Sequence, residues 1–183
     1  MGAVTTLPWS RPLTRADLET MPDDGHRYEL LDGTLLVSPA PSPRHQRAVL
    51  GVRDALLVAR PAHLRVYVAP LDVVLADDSV LQPDVVVARQ GDVTEHDLSA
   101  PVLAVEVLSP STGKIDQLLK PARYAASGIE HYWVVDPDQP SVTAWELRDG
   151  VYVLVGDAAG QEVLELIAPY GVRLVPADLV ADV

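Results

Sequence analysis

The run Val102-Leu-Ala-Val-Glu-Val-Leu108 is apolar at every position except Glu106. A strand with one wet face alternates apolar and polar residues, so a continuous apolar run predicts burial on both faces. Such a strand needs a covering layer on each side and therefore a layered domain. Glu106 then poses a chemical problem. An isolated carboxylate inside a buried strand is strongly destabilising or is forced neutral. It needs a cation, a metal ion or a hydrogen-bonding network.

Asp84 raises the same question at the mouth of another apolar strand, Pro83-Asp84-Val-Val-Val87. Adjacent strands lie about 4.8 Å apart. If these two strands are neighbours, both carboxylates can share one hard cation such as Mg²⁺, with waters and substrate phosphate completing its shell. Arginine partners are the alternative, as is an exposed turn for Asp84. Glu29 lies in Arg27-Tyr-Glu-Leu-Leu31 and shares a face with Arg27 and Leu31. It is either half of a cross-strand ion pair or a further carboxylate near the same cation.

The choice of basic residues adds a clue. Of 14 Lys and Arg residues, only Lys114 and Lys120 are lysines. Arginine stays protonated, whereas lysine can shift its pKa and do proton chemistry. Lys120 falls on the segment after the Glu106 strand, and Asp116, Lys120 and Tyr124 share a face if that segment is helical. A surface Asp–Lys pair is the plain reading. A catalytic ammonium near Glu106 is the sharper one, with Lys114 in reserve. Pro121 implies that the helix either begins near Lys120 or is kinked there.

Around these residues the elements are readable. Thr14 caps a short helix. Asp32-Gly33 joins two strands of a hairpin over 27–37. Ser42 caps a helix over 43–59, with Pro43 at its first position. Strands are expected over 64–69, 71–76, 80–89, 101–108 and 131–136, and a helical segment ends near Gly128. A β-meander follows from Ser141, turning at Asp149-Gly150. The chain of 183 residues is the right length for one domain, 1–183, with a core over about 12–175.

Composition excludes several classes. The absence of cysteine removes disulfides and thiolate metal sites. No apolar run is long enough for a transmembrane helix, and the N-terminus lacks a signal-peptide pattern. A cytoplasmic protein without membrane attachment is expected. A net charge of −12 argues against non-specific gripping of a nucleic-acid backbone, though not against a phosphodiesterase site. His26, His63 and His96 have no metal-ligand spacing, and His131 reads as a core residue. His45, in Pro43-Arg-His-Gln-Arg47, is either structural or a titrating group near the site. Arg44 and Arg47 could contact phosphate.

Five ordered motifs carry a family resemblance. They are Tyr28-Glu-Leu-Leu-Asp-Gly-Thr-Leu-Leu-Val-Ser-Pro-Ala-Pro-Ser-Pro-Arg-His45, Pro83-Asp-Val-Val-Val87, Glu106-Val-Leu-Ser-Pro-Ser-Thr112, Asp116 with Lys120 and Tyr124, and Tyr132-Trp-Val-Val-Asp-Pro137. Together they resemble the Uma-type family of proposed restriction endonucleases, a branch of the PD-(D/E)XK nuclease superfamily. The resemblance implies an α/β fold with a restriction-endonuclease-like core: a mixed β-sheet flanked by helices, an N-terminal hairpin and a C-terminal β-meander. It implies Mg²⁺ or Mn²⁺ held by Asp84, Glu106 and the carbonyl of Val107, with Glu29 as a further metal residue that tunes the site or binds a second ion. Catalytic roles would fall to Asp84, Glu106, Lys120, Glu29 and His45. The lysine expected two residues after Glu106 is replaced by Leu108, which makes Lys120 the displaced candidate.

The function so implied is that of a Mg-dependent endodeoxyribonuclease-like hydrolase acting on phosphodiester bonds of nucleic acid, DNA foremost, as a homodimer. The rival is a non-catalytic binding or regulatory module on the same fold. A carboxylate glycosidase ranks last, because few aromatics are present to stack on sugars.

Overall fold

Two hairpin turns frame the sheets. Asp32 and Gly33 both take positive φ, 49° and 74°, as do Asp149 and Gly150 at 50° and 80°. This is the geometry of a tight two-residue turn that follows strand twist. The first joins β1 (Arg27–Leu31) to β2 (Thr34–Ser38), and the second joins β10 (Ser141–Arg148) to β11 (Val151–Ala159). In this computed structural model, residues 7–8, 10–94, 97–99, 101–109 and 118–181 are described. Lys114, Asp116 and His96 lie outside them.

The remaining strands are β3 (Leu64–Val68), β4 (Asp72–Ala76), β5 (Ser79–Leu81), β6 (Val85–Arg89), β7 (Asp97–Leu98), β8 (Leu103–Val107), β9 (His131–Asp136), β12 (Leu164–Leu166) and β13 (Val172–Leu174). They form a six-stranded sheet in the order β11-β10-β9-β8-β6-β3, a five-stranded sheet in the order β2-β1-β5-β4-β7, and a two-stranded ribbon of β12 and β13. Both larger sheets are mixed. In the six-stranded sheet only β8 and β9 run parallel, and in the other only β4 and β7 do.

The α/β class with mixed sheets is as the sequence implies, but the mixed sheet is two sheets. The strand expected over 80–89 is divided between them. β5 belongs to one and β6 to the other, with Gln82-Pro83-Asp84 between. Proline has no N–H for a ladder, so Pro83 breaks the strand where the chain changes layer.

Alternation along the central strands sorts the core. Leu103, Val105 and Val107 of β8 join Val85, Val87, Trp133 and Val135 on the face covered by α2 (Pro43–Val58). Ala104 faces the other way, with Tyr132 and Val134, toward Leu31 and Leu81 of the five-stranded sheet and Tyr124 of α3 (Lys120–Ala126). β8 is therefore buried on both faces, as its composition requires. The described helix α3 begins at Lys120, which places Pro121 in its first turn. The short α1 (Arg15–Leu18) carries a capping box between Thr14 and Asp17. Among the described residues no helix is long and apolar enough to cross a membrane.

α2 also packs on the 3-10 turn Pro176–Val180 through Gly51. A Cβ at Gly51 would meet the backbone Cα and O of Leu179 at 2.9 Å. Gly51→Ala gains about 1 kcal/mol of helix propensity but overpacks a backbone contact by about 1–3 kcal/mol. A net loss of up to about 2 kcal/mol is expected in urea unfolding. Raised stability would mean that the turn yields freely.

Candidate active site

Asp84 and Glu106 are brought together by strand register. β6 and β8 are antiparallel neighbours with Val85 opposite Val105, and the register runs on to set Asp84 opposite Glu106. Glu106 follows Ala104 by two and leaves the sheet on the face turned away from α2, whereas Asp84, just before β6, sits at the strand end and meets the first turn of α2. Glu29 approaches from the opposing sheet, because β1 turns Leu31 and hence Glu29 toward the same interlayer. All three are buried, with Glu29 and Glu106 at 1 % exposure and Asp84 at 3 %.

Lys120 bridges the two layers. Its Nζ donates to Glu29 Oε1 and Glu106 Oε1, each at 3.1 Å, and the residue is 2 % exposed. One helical turn on, the Tyr124 hydroxyl donates to Glu106 Oε1 at 2.6 Å. Glu29 Oε1 also accepts the Gln82 backbone N–H at 2.8 Å. Lys120 is not a surface residue: it lies between two carboxylates in the interior, while Asp116, its expected partner, is outside the described residues.

Asp84 has its own set of donors. Its Oδ2 accepts the Val107 N–H at 2.8 Å and lies 3.3 Å from His45 Nε2, while its Oδ1 accepts from Arg27 Nη1 at 3.0 Å. His45 Nε2 is also 3.0 Å from the Val107 carbonyl. His45 reaches this point because Ser42 caps α2 by accepting the His45 N–H, which fixes the first turn over the end of β8. Burial alone would raise the Asp84 carboxyl. The His45 hydrogen bond, the Arg27 charge and the Val107 N–H outweigh it and hold the group below the usual aspartate value. Arg27 is pushed the same way by its neighbours: burial would lower it, but Asp84, Glu29 and Glu106 raise it. The Tyr124 hydroxyl is driven well above 10, first by burial and then by the Glu106 charge.

Among the described residues, this cluster sets three carboxylates against two fixed cations, Arg27 and Lys120. The oxygens able to take a hard cation are those of Asp84, Glu106 and the Val107 carbonyl. No group of three or more His, Asp or Glu side chains among the described residues is arranged to hold a metal. Two carboxylates and a carbonyl are nevertheless a donor set that Mg²⁺ accepts with waters. Coordination at Asp84 and Val107 would replace the two contacts of His45 Nε2.

Three contributors were not assigned from sequence. Arg27 and Gln82 carried only weak signals, Arg27 by sharing the Glu29 face. Tyr124 was placed on the Lys120 face without a role. The other basic candidates go elsewhere. Arg44 Nε donates to the Pro137 carbonyl and Arg47 Nη1 to that of Ala181. His131 is buried on β9 with its pKa lowered, first by burial. Tyr124→Phe removes a buried hydrogen bond to a charged acceptor, so a loss of about 1.5–3 kcal/mol is expected by urea unfolding. A variant as stable as the parent would mean that Glu106 does not depend on this hydroxyl.

Comparison with known proteins agrees with this architecture. A crystal structure described as "a putative nuclease belonging to DUF820", from Anabaena variabilis, superposes with a TM-score of 0.71. It covers 92% of this chain and 98% of its own, at 17% identity, which is a likeness of fold. No curated protein matches the sequence. The family model Uma2, described as "Putative restriction endonuclease", matches residues 15–177. The match spans nearly the whole chain, and the chain belongs to the Uma2 family.

Proposed function

We propose that this chain is a metal-dependent endonuclease that hydrolyses phosphodiester bonds of nucleic acid, with DNA as its substrate. Asp84, Glu106 and the Val107 carbonyl would hold Mg²⁺ or Mn²⁺. The observation that carries this reading is two buried carboxylates that the register of neighbouring strands sets opposite one another, with a buried lysine bonded to Glu106. Structural ion pairs need no such concentration of acid. Two carboxylates held close repel, and a divalent cation relieves that repulsion.

When bound, the ion supplies Lewis-acid polarisation of the phosphate and an acidified water. The chain's own residues do the rest. Lys120 holds Glu106 in place and presents an ammonium that orients the attacking water and offsets phosphate charge. Tyr124 fixes the same Glu106 oxygen. Arg27 anchors Asp84 and lies where it can also meet a phosphate oxygen. Glu29 holds Lys120 from the opposite sheet.

A second reading, a non-catalytic binding module, has one observation in its favour. Asp84 already has Arg27 and His45 as partners, so the acids are compensated without a metal. Calorimetric titration with Mg²⁺ or Mn²⁺ separates the two. The nuclease reading expects binding that disappears in Asp84→Ala/Glu106→Ala, together with EDTA-sensitive cleavage of single-stranded or duplex DNA. Cleavage that persists in the double variant would remove this site from consideration.

A further inference from the structure

Among the described residues, one cavity reaches the Asp84 side of the cluster. This cavity of about 880 Å³ is lined at its inner end by Arg27, His45 and Asp84, whereas Glu106, Lys120 and Glu29 are not part of its wall. Its sides are largely apolar, with Val49 and Leu50 of α2, Val68 at the end of β3 and Pro70 beyond it. Leu18 and Met21 come from the α1 side. The volume lies within the range of about 300–1,000 Å³ typical of small-molecule pockets.

One buried polar atom at this cavity has no partner. His45 is 5 % exposed, and its Nε2 serves Val107 and Asp84, yet its Nδ1 makes no hydrogen bond. Buried polar atoms are nearly always satisfied, so such an orphan marks a place for a ligand or water.

We infer that this cavity receives one unpaired nucleotide of the DNA strand, its base between the apolar walls and its phosphate toward Arg27 and Asp84. This rests on the nuclease reading for the choice of ligand and names the substrate form that reading leaves open. A phosphate that enters the cavity to meet Asp84 brings its nucleoside along. The cavity is roomy enough for a nucleotide and far too small for a stacked duplex, so the base leaves the stack. The charge balance opposes the phosphate: Glu19, Asp23, Asp72 and Asp84 line the cavity against Arg15 and Arg27, the chain carries −12, and Arg15 is already paired to Asp97 and Glu19. Affinity must then come from burying a base, which every base can supply, more than from phosphate neutralisation.

The test is equilibrium binding of the full chain in EDTA, where cleavage cannot interfere. The probes are fluorescein-labelled d(TTT), the same trimer with all three bases replaced by abasic residues, and a DNA hairpin without overhangs. The trimer with bases is expected to bind at least about tenfold more tightly than the abasic one, and more tightly than the hairpin. Its salt dependence is expected to be shallow, with a log–log slope of about −1. Ala40→Trp, at an exposed position on the cavity wall, is expected to erase the preference for bases. Equal binding of the two trimers, binding of neither up to millimolar, or hairpin binding as tight as d(TTT) would overturn the inference. These comparisons use the parent protein, so they stand even if the variant misfolds. Base-dependent binding without any Mg²⁺-dependent cleavage would defeat the nuclease reading and leave the pocket. Duplex cleavage without base-dependent binding would do the reverse.

Discussion

Replacing Lys120 by alanine is expected to lower the free energy of unfolding by about 3–5 kcal/mol, the usual cost of removing one partner from a buried ion pair. The size follows from what stays behind. Glu29 and Glu106 are each 1 % exposed and would face one another across the interlayer without the ammonium that now bridges them. The lysine stem is lost as well, which adds a cavity to the charge defect. Lys120→Met separates the two effects, because it keeps most of the volume and loses only the charge. Adding Glu29→Gln to Lys120→Met should then recover part of the loss, since the remaining acid keeps the Tyr124 hydrogen bond. Urea unfolding of the four proteins measures this. A change below about 1 kcal/mol in Lys120→Ala, the scale of a solvated pair, would show that the cluster is open to water and that its carboxylates need no internal cation.

How far such a cluster is legible in sequence depends on what fixes each member. Glu106 declares itself, because one carboxylate in an apolar run has no innocuous explanation. The turns at Asp32-Gly33 and Asp149-Gly150 and the Ser42 cap are equally local. Each is determined by the φ preference or side-chain reach of a residue at that position, and each is found where expected. The harder features are those set by distant contacts. Residues 80–89 read as one strand because burial on two different sheets gives the same apolar pattern as burial in one. Only Pro83 marked the crossing. Arg27 and Asp84 lie 57 positions apart, and Glu29 and Lys120 lie 91 apart. Alternation shows which face Arg27 and Glu29 share, but not which strand of a second sheet stands opposite. The partnership of Arg27 with Asp84 therefore could not be read before the layers were in place. The same holds for Tyr124, whose spacing from Lys120 was evident while its acceptor was not.

Asp84 is where structural and chemical roles separate most cleanly, and Asp84→Asn is the substitution that shows it. The amide keeps a single oxygen, so it can serve either the Val107 N–H or Arg27, which bond different oxygens of the carboxylate, and the other donor loses its acceptor. Arg27 is also 20 % exposed at its side chain and can recover solvation, unlike Lys120 at 2 %. Stability is therefore expected to fall by about 1–3 kcal/mol, the cost of leaving one buried donor without its acceptor. Cleavage is expected to fall at least about a hundredfold, because the charge that would hold the cation is gone and the transition state loses several kcal/mol of stabilisation. Lys120→Ala should show the opposite balance, with unfolding as its leading effect. The informative measurement is the rate of cleavage against Mg²⁺ concentration, taken beside urea unfolding of the same preparation. A loss of rate recovered by raising Mg²⁺ would assign Asp84 to holding the ion. A loss that no concentration recovers would assign it to placing the ion against the phosphate. Asp84→Asn that cleaves as fast as the parent at low Mg²⁺ would sink both, and would leave the buried acids as a clamp between two sheets.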